Sequence, residues 1–587
     1  GISNEGNGTF NFYDGIIKGK TAINGNLSAK EKGYEVITTE ENEIETAILG
    51  NLPVAKIGEK EYYTFQEAFD ACPSDGTETT VEVLRNCTTD MANIIEENKN
   101  IVLDIQSYKI VSGIENLFTN NGKFKIVDSI GNGRIISAKG TILKNEETGN
   151  FAINNITMQM TGSSAIDETI ENKGMLEVTG GVIISDGLKN KCINNIEQGT
   201  VKITGGTVSA YTYAIYNTSS NKIEIEGGTV QATYYYEGYS AIYNNTENGV
   251  VEIKGGLVTN QGKAIENKKG TIKVTGGEIR TTQGDTRYSE CGIYNNGKVI
   301  IEDGKVAALY RGSGIQNEGG TIEITGGTVS APEWYNSIIN RGTLEISGGT
   351  IKSNQKGIYN NSTLKMTGGT VEVQEPNYTA LECGGGTATI EGGTIKYNNT
   401  GNTNYNTAAI IITTNTATLT LGKEDGNVST TNPEIIGSTY GISNEGNGQF
   451  NFYDGIVKGI LTAISGNITR VEDKYTLVGG TEDNYQTTTL GFLATDTMTA
   501  CVNGTYYSTL QEAINSCIDN KETYIILVNG ATVSENITIS SNKIIKIDLK
   551  GYTISGNSGI NIENKGKLTI IDSSDTKSGQ FNIQVTG

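Results

Sequence analysis

The chain has 587 residues, of which 36% are hydrophobic, and its 76 glycines are roughly twice the usual ~7% share. A net charge of −21 repels a phosphate backbone and no basic patch offsets it, so nucleic acid is not an expected partner. No apolar run approaches the ~20 residues that cross a bilayer, so the chain is not expected to span a membrane.

Residues 1–19, GISNEGNGTFNFYDGIIKG, return at 441–459 with two changes, Thr9 to Gln449 and Ile17 to Val457. After each copy comes a polar, aperiodic stretch, 20–56 and 460–501, which reads as a linker or hairpin. Next come YYTFQEAFDAC and YYSTLQEAINSC. In them Phe65, Ala68, Phe69 and Cys72, and again Leu510, Ala513, Ile514 and Cys517, fall at i, i+3, i+4 and i+7, one face of a short helix. Thr64-x-x-Glu67 and Thr509-x-x-Glu512 are capping boxes at its start. An amphipathic helix before a β segment hides an open sheet edge, so each is expected to cap the start of a new β stack.

From Ile142 onward one phrase recurs, as in AIYNTSSNKIEIEGGTV and GIQNEGGTIEITGGTV. Its asparagines form a column: Asn120, Asn145, Asn172, Asn195, Asn217, Asn244, Asn267, Asn295, Asn317, Asn340 and Asn360, after which Cys383 holds the same place. A fixed period of about 24 residues marks a solenoid whose repeats bury their apolar faces only by stacking. Short β-branched segments alternate with period two, so the repeat unit is a coil of strands. The asparagines are expected to stack at one corner, each amide bonding the next, with a left-handed backbone there as a second reason for Asn. Gly-Gly pairs such as 205/206 and 227/228 mark another corner, where the second glycine needs positive φ. The expected fold class is all-β: a right-handed parallel β-helix of about 24 residues per coil, with short capping α-helices and linkers between tandem solenoids.

YSTLQEAINSC, the following IILVNGATVSENITISSNKIIKIDLKGYTISG and the repeated ITGGTV resemble the pectate-lyase-like right-handed β-helix repeats of very large surface proteins of Gram-positive bacteria. The resemblance covers nearly all of the chain outside the two linkers and implies a secreted, cell-surface protein. The expected division is a last rung at 1–19, a linker or hairpin at 20–56, a complete β-helix with its capping helix at 57–459, a second linker or hairpin at 460–501, and a capping helix with first rungs at 502–587. Starting on the last rung of one stack and stopping a few rungs into another is what a window onto a longer tandem array would look like.

Polysaccharide-cleaving β-helix enzymes use clustered aspartates with a basic partner, or Ca²⁺ with an Arg or Lys base. This chain has no histidine, and neither the NTD nor the GHG signature of galacturonan hydrolases occurs. Asp14, Asp303 and Asp454 share a corner on distant rungs, GKEDGN at 422–427 reads as a solvated loop, and DGIIKGKT lacks P-loop spacing. No catalytic residue, metal or cofactor is expected. Seven cysteines, an odd number, read as small buried hydrophobes. Tyrosines cluster on two adjacent rungs: Tyr211, Tyr213, Tyr216, Tyr234, Tyr235, Tyr236, Tyr239 and Tyr243, with Tyr216 and Tyr243 facing out and stacked, as a ligand or lateral contact. The expected function is a structural stalk or filament whose partners are other repeats, head to tail. The alternative is a glycan-binding adhesin; a polysaccharide lyase or hydrolase ranks third.

Overall fold

A computed structural model gives the fold. It describes the whole chain except residues 6–7, 31–33, 51, 163–167, 189, 235–237, 283–289, 333–334, 376–377, 398–406, 426–427, 474, 493–497, 504, 557–558, 561, 575 and 583–587.

The chain is a parallel β-solenoid of about 23 residues per turn. Each coil contributes three strands. In one coil these are Thr200–Ile203 on the first face, Thr207–Ala210 on the second and Tyr213–Asn217 on the third. Each lies parallel to its equivalent one coil on, as in Val201↔Ile223, Val208↔Val230 and Ile215↔Ile242. The third face alone is a sheet of sixteen strands, from Asn93–Ile95 to Thr462–Ser465. Fifteen steps of about 4.8 Å make it roughly 70 Å long. Alternation places Val201, Ile203, Val208 and Ile215 inside, all buried, in one continuous core from Ala55 to Leu490. A second core begins at Ala500.

The corner between the first and second faces is closed by the Gly-Gly pair. Gly228 has φ of +74°, and a Cβ on it would sit 2.6 Å from the Gly206 carbonyl of the coil below. Its neighbour Gly227 has an ordinary backbone, yet a Cβ there would lie 2.5 Å from the Thr204 carbonyl. Conformation thus demands the second glycine, and the coil spacing crowds the first.

Helix α1, Phe65–Ala71, and helix α2, Leu510–Ser516, each begin at a capping box, Thr64 with Glu67 and Thr509 with Glu512. Phe69 of α1 lies edge-on to Phe124 at 5.8 Å, over the open end of the core.

The parallel ladder runs further than the sequence repeat indicates. Thr462–Ser465 pairs with Tyr440–Asn444, and Arg470–Val471 with Gln449–Phe452, inside the stretch expected to be a linker. Only then does an antiparallel hairpin, Tyr475–Glu482 with Tyr485–Phe492, close the stack by pairing on Ile456–Gly459. The first copy repeats the pattern: Ile2–Asn4 with Ile23–Gly25, Asn11–Phe12 with Ala29–Lys30, and a hairpin of Glu35–Glu41 and Ile44–Gly50 on Ile16–Gly19. These last coils lack the Gly-Gly corner, so the sequence period fades before the backbone pairing does.

Candidate functional site

Two side-chain assemblies stand out from the repeating coil. The first is the asparagine column. Each Nδ2 from Asn120 to Asn340 donates to the Oδ1 of the next asparagine, through Asn145, Asn172, Asn195, Asn217, Asn244, Asn267, Asn295, Asn317 and Asn340 to Asn360, at 2.7 to 3.0 Å. All eleven side chains are buried. The same amides close their own turns: Asn195 donates to the Gly199 carbonyl at 3.0 Å, and Asn172 to the Thr200 carbonyl of the next coil at 3.0 Å. Glycine is needed beside this column, since a Cβ on Gly199 would meet Asn195 Oδ1 at 2.3 Å. The left-handed backbone expected of these asparagines is not found. They end extended strands, and none is among the positive-φ residues. The amide alone selects Asn here, because the turn that follows carries the backbone's change of direction.

At the next coil Cys383 is paired with Asn360 in register and is buried, which lifts its thiol pKa to about 12. Cys192 and Cys291 are likewise pushed to about 12 by burial. Inert thiols of this kind fill space.

The second assembly is aromatic. Tyr216 and Tyr243 occupy equivalent outward positions on the third face, and their rings stack at 4.8 Å with an interplanar angle of 15°. Tyr213 meets Tyr216, Tyr239 and Tyr243 edge-on at 5.2 to 5.6 Å, and its hydroxyl donates to the Gly238 carbonyl. Tyr211 packs on Tyr234 at 4.7 Å, and Tyr234 on Tyr239 at 5.4 Å. Tyr235 and Tyr236 lie outside the described residues. Lys191 caps the Tyr216 ring at 4.3 Å. Burial raises the pKa of Tyr213 and Tyr243, so both stay neutral at physiological pH. Tyr213, which touches three of the other rings, is the hub of the cluster, and Tyr213, Tyr216 and Tyr243 are all half-buried.

Two devices at the solenoid start were not read from the sequence. Gln66 of α1 accepts from the Ile94 N–H at 2.6 Å and donates to the Ile94 carbonyl at 3.1 Å, so one amide side chain imitates the missing neighbour of the edge strand Asn93–Ile95. Gln511 likewise accepts from the Thr538 N–H at 2.7 Å and donates to the Thr538 carbonyl at 3.0 Å. Lys99 donates to the Asp70 and Cys72 carbonyls at 2.8 and 2.6 Å, placing a cation at the C-terminus of α1, and Lys543 reaches Asn515 and Cys517 at α2. The signal was present in Phe-Gln-Glu-Ala and Leu-Gln-Glu-Ala, with Asn-Lys downstream in both copies.

Asp454 is the described acid whose pKa burial raises most clearly. Burial pushes its pKa up to about 6, although the Ser429 and Gly455 N–H groups donate to it. Its counterpart Asp14 is exposed, and Asp303 pairs with Thr275 at a register shift, so the three do not meet. In 422–427, Lys423 faces Asp425 at 3.6 Å and Arg470 faces Glu424 at 2.6 Å, while 426–427 lie outside the described residues. Among the described residues no three acids, cysteines or histidines gather as metal ligands, and no helix is long and apolar enough to cross a membrane. No family model, curated protein or solved structure matches the chain, so the functional reading rests on the geometry above.

Proposed function

We propose that the chain is a structural element: a tandemly repeated β-solenoid that serves as a stalk or filament on a bacterial surface, outside the cell, with its repeats joined head to tail. The observation that carries this reading is the unbroken run of ten amide-to-amide bonds through eleven coils, over one continuous core. Such a column resists shear between coils and makes nothing that binds or reacts. The resemblance to pectate-lyase-like repeats of Gram-positive surface proteins supports the extracellular placement, and the reading assigns no catalysis. Electron microscopy of the full chain tests it: straight rods with a narrow spread of angles at 460–501 are expected, and widely scattered angles there would overturn the stalk.

A glycan-binding adhesin is the second reading, favoured by the part-exposed Tyr216 and Tyr243 stack with Lys191 beside it. Sugar rings lay their apolar faces on such aromatic surfaces. Glycan-array binding that Tyr216→Ala and Tyr243→Ala abolish would favour it over a passive stalk.

A further inference from the structure

The strand Tyr475–Glu482 pairs with Tyr485–Phe492 along its full length; Tyr475 also donates its N–H to the Glu472 carbonyl at 3.1 Å, and from Thr476 onward the hairpin partner is the one registered neighbour among the described residues. Every residue from Thr476 to Glu482 is exposed, including Leu477 and Val478 on opposite faces. A free edge offers N–H and C=O groups to any extended chain, and proteins ordinarily blunt it with lysine, proline, a bulge or a covering element. Tyr475 to Thr481 has no charge and no proline. The strand's one carboxylate, Glu482, is ion-paired with Lys458 at 3.1 Å.

The equivalent hairpin of the first copy is built the same way, but its outer strand carries Glu35, Glu40 and Glu41. Elsewhere the solenoid's outward columns hold charged pairs such as Lys273 with Glu302 and Lys298 with Glu323. In a chain of net charge −21, identical surfaces repel where carboxylates dominate. The neutral edge is where two copies can approach.

We propose that Tyr475–Glu482 is a homotypic docking edge: a second copy of this chain pairs the same strand antiparallel, about a two-fold axis at Val478 that sets the two Val478 side chains opposite each other, and so joins chains side by side. Antiparallel pairing of identical strands is self-complementary, so one surface supplies both halves of the contact. Eight residues a side bury less than the roughly 1,200 Å² of a standard interface, so a single contact is weak and gains strength where several align. The inference is independent of the stalk, since an adhesin could carry the same edge.

Sedimentation velocity of the full chain over a range of concentrations tests it. The weight-average sedimentation coefficient is expected to rise with concentration for the unaltered chain and to stay at the monomer value for Val478→Lys and for Leu477→Lys. Both side chains are exposed, and an unchanged circular dichroism spectrum checks that the fold is kept. An equimolar mixture of Val478→Lys and Val478→Glu should associate again. A chain that is monomeric throughout, a Val478→Lys variant that associates like the unaltered chain, or a mixture that stays monomeric would each overturn the proposal.

Discussion

Replacing Asn317 by Ala would test what the amide column contributes. Asn317 accepts from Asn295 Nδ2 at 2.9 Å and donates to Asn340 Oδ1 and the Gly320 carbonyl, each at 2.9 Å. After the substitution Asn340 Oδ1 keeps the Gly342 N–H at 3.2 Å, while Asn295 keeps Gly297 at 3.1 Å and a long contact to Thr321 at 3.4 Å. Four neutral bonds are lost, counting a longer one from Asn317 to the Thr343 carbonyl at 3.3 Å, and one buried amide proton is left poorly satisfied, a cost of about 2–4 kcal/mol. Solenoid coils interact with nearest neighbours, so the loss should be local. Native-state hydrogen exchange reads it: amides of Cys291–Asn295, Ser313–Asn317 and Asn336–Asn340 should exchange roughly 30-fold to several-hundred-fold faster. The strand Asn116–Asn120, many coils away, should not change. Unaltered exchange around Asn317, or an equal loss along the whole solenoid, would refute the reasoning.

Ile315 is fully buried beneath the same column, so Ile315→Asp, which leaves an unpaired charge in the core, should cost on the order of 4 kcal/mol and open a proteolytic site between Cys291 and Ile338. Lys99→Met removes two charge-assisted bonds from the end of α1 and should destabilise that helix by about 2 kcal/mol, seen as faster exchange of Ala68 to Cys72 with the central coils unaffected. Asp454 binds its proton more tightly in the folded chain, at about 6, than in the unfolded chain, where its pKa is ordinary. The folded state therefore gains stability relative to Asp454→Asn as pH falls from 7 through about 6 towards about 4, and no more below that. Urea titrations of both chains across this range should show their midpoints converging on acidification; a constant gap would contradict the shifted pKa.

The coil was legible because each of its parts is set locally and then repeated. Alternation in Ile322-Glu323-Ile324 fixes which side chains enter the core, and eleven asparagines in phase fix the coil length. The stacked pair of Tyr216 and Tyr243 followed from the same phase. What stayed hidden lies where the period ends. Pairing of Arg470–Val471 with Gln449–Phe452 depends on backbone hydrogen bonds that no side-chain pattern announces. Gln66 and Lys99 look in the sequence like ordinary surface residues, yet Lys99 is buried, and their partners are backbone groups 27 to 29 residues away. The left-handed backbone expected of the ladder asparagines failed because Asn serves two purposes in turns, and here only its amide is used.

The interruption of the column shows which requirement is general. Cys383 and Ile412 stand in the asparagine register, both buried, and coil pairing continues through them to Asn444 without a slip. Backbone pairing and the apolar core therefore suffice to stack coils, and the amides must meet some other need. That need is visible at the same corner one coil on. The Thr413 hydroxyl donates to the Cys383 carbonyl at 3.3 Å, and the Thr414 hydroxyl to the Gly384 carbonyl at 3.1 Å. These hydroxyls reach the carbonyls of the register residue and its successor in the preceding coil, whereas the ladder amides bond carbonyls further along the turn, such as Gly199 and Gly320. The steps also lengthen, to 29 residues from Cys383 to Ile412 and 32 from Ile412 to Asn444. A buried turn must find donors for its carbonyls whatever the coil length. Asparagine links neighbouring coils amide to amide in one continuous run, whereas these threonines link a single pair of coils by hydroxyl-to-carbonyl bonds. The amide-to-amide run is thus confined to Asn120 through Asn360, and beyond it the coils are joined by backbone pairing, by single side-chain bonds such as Thr379 to the Ala408 carbonyl and Asn444 to the Asn467 carbonyl, and by core side chains such as Phe450 and Phe452, stacked at 6.1 Å.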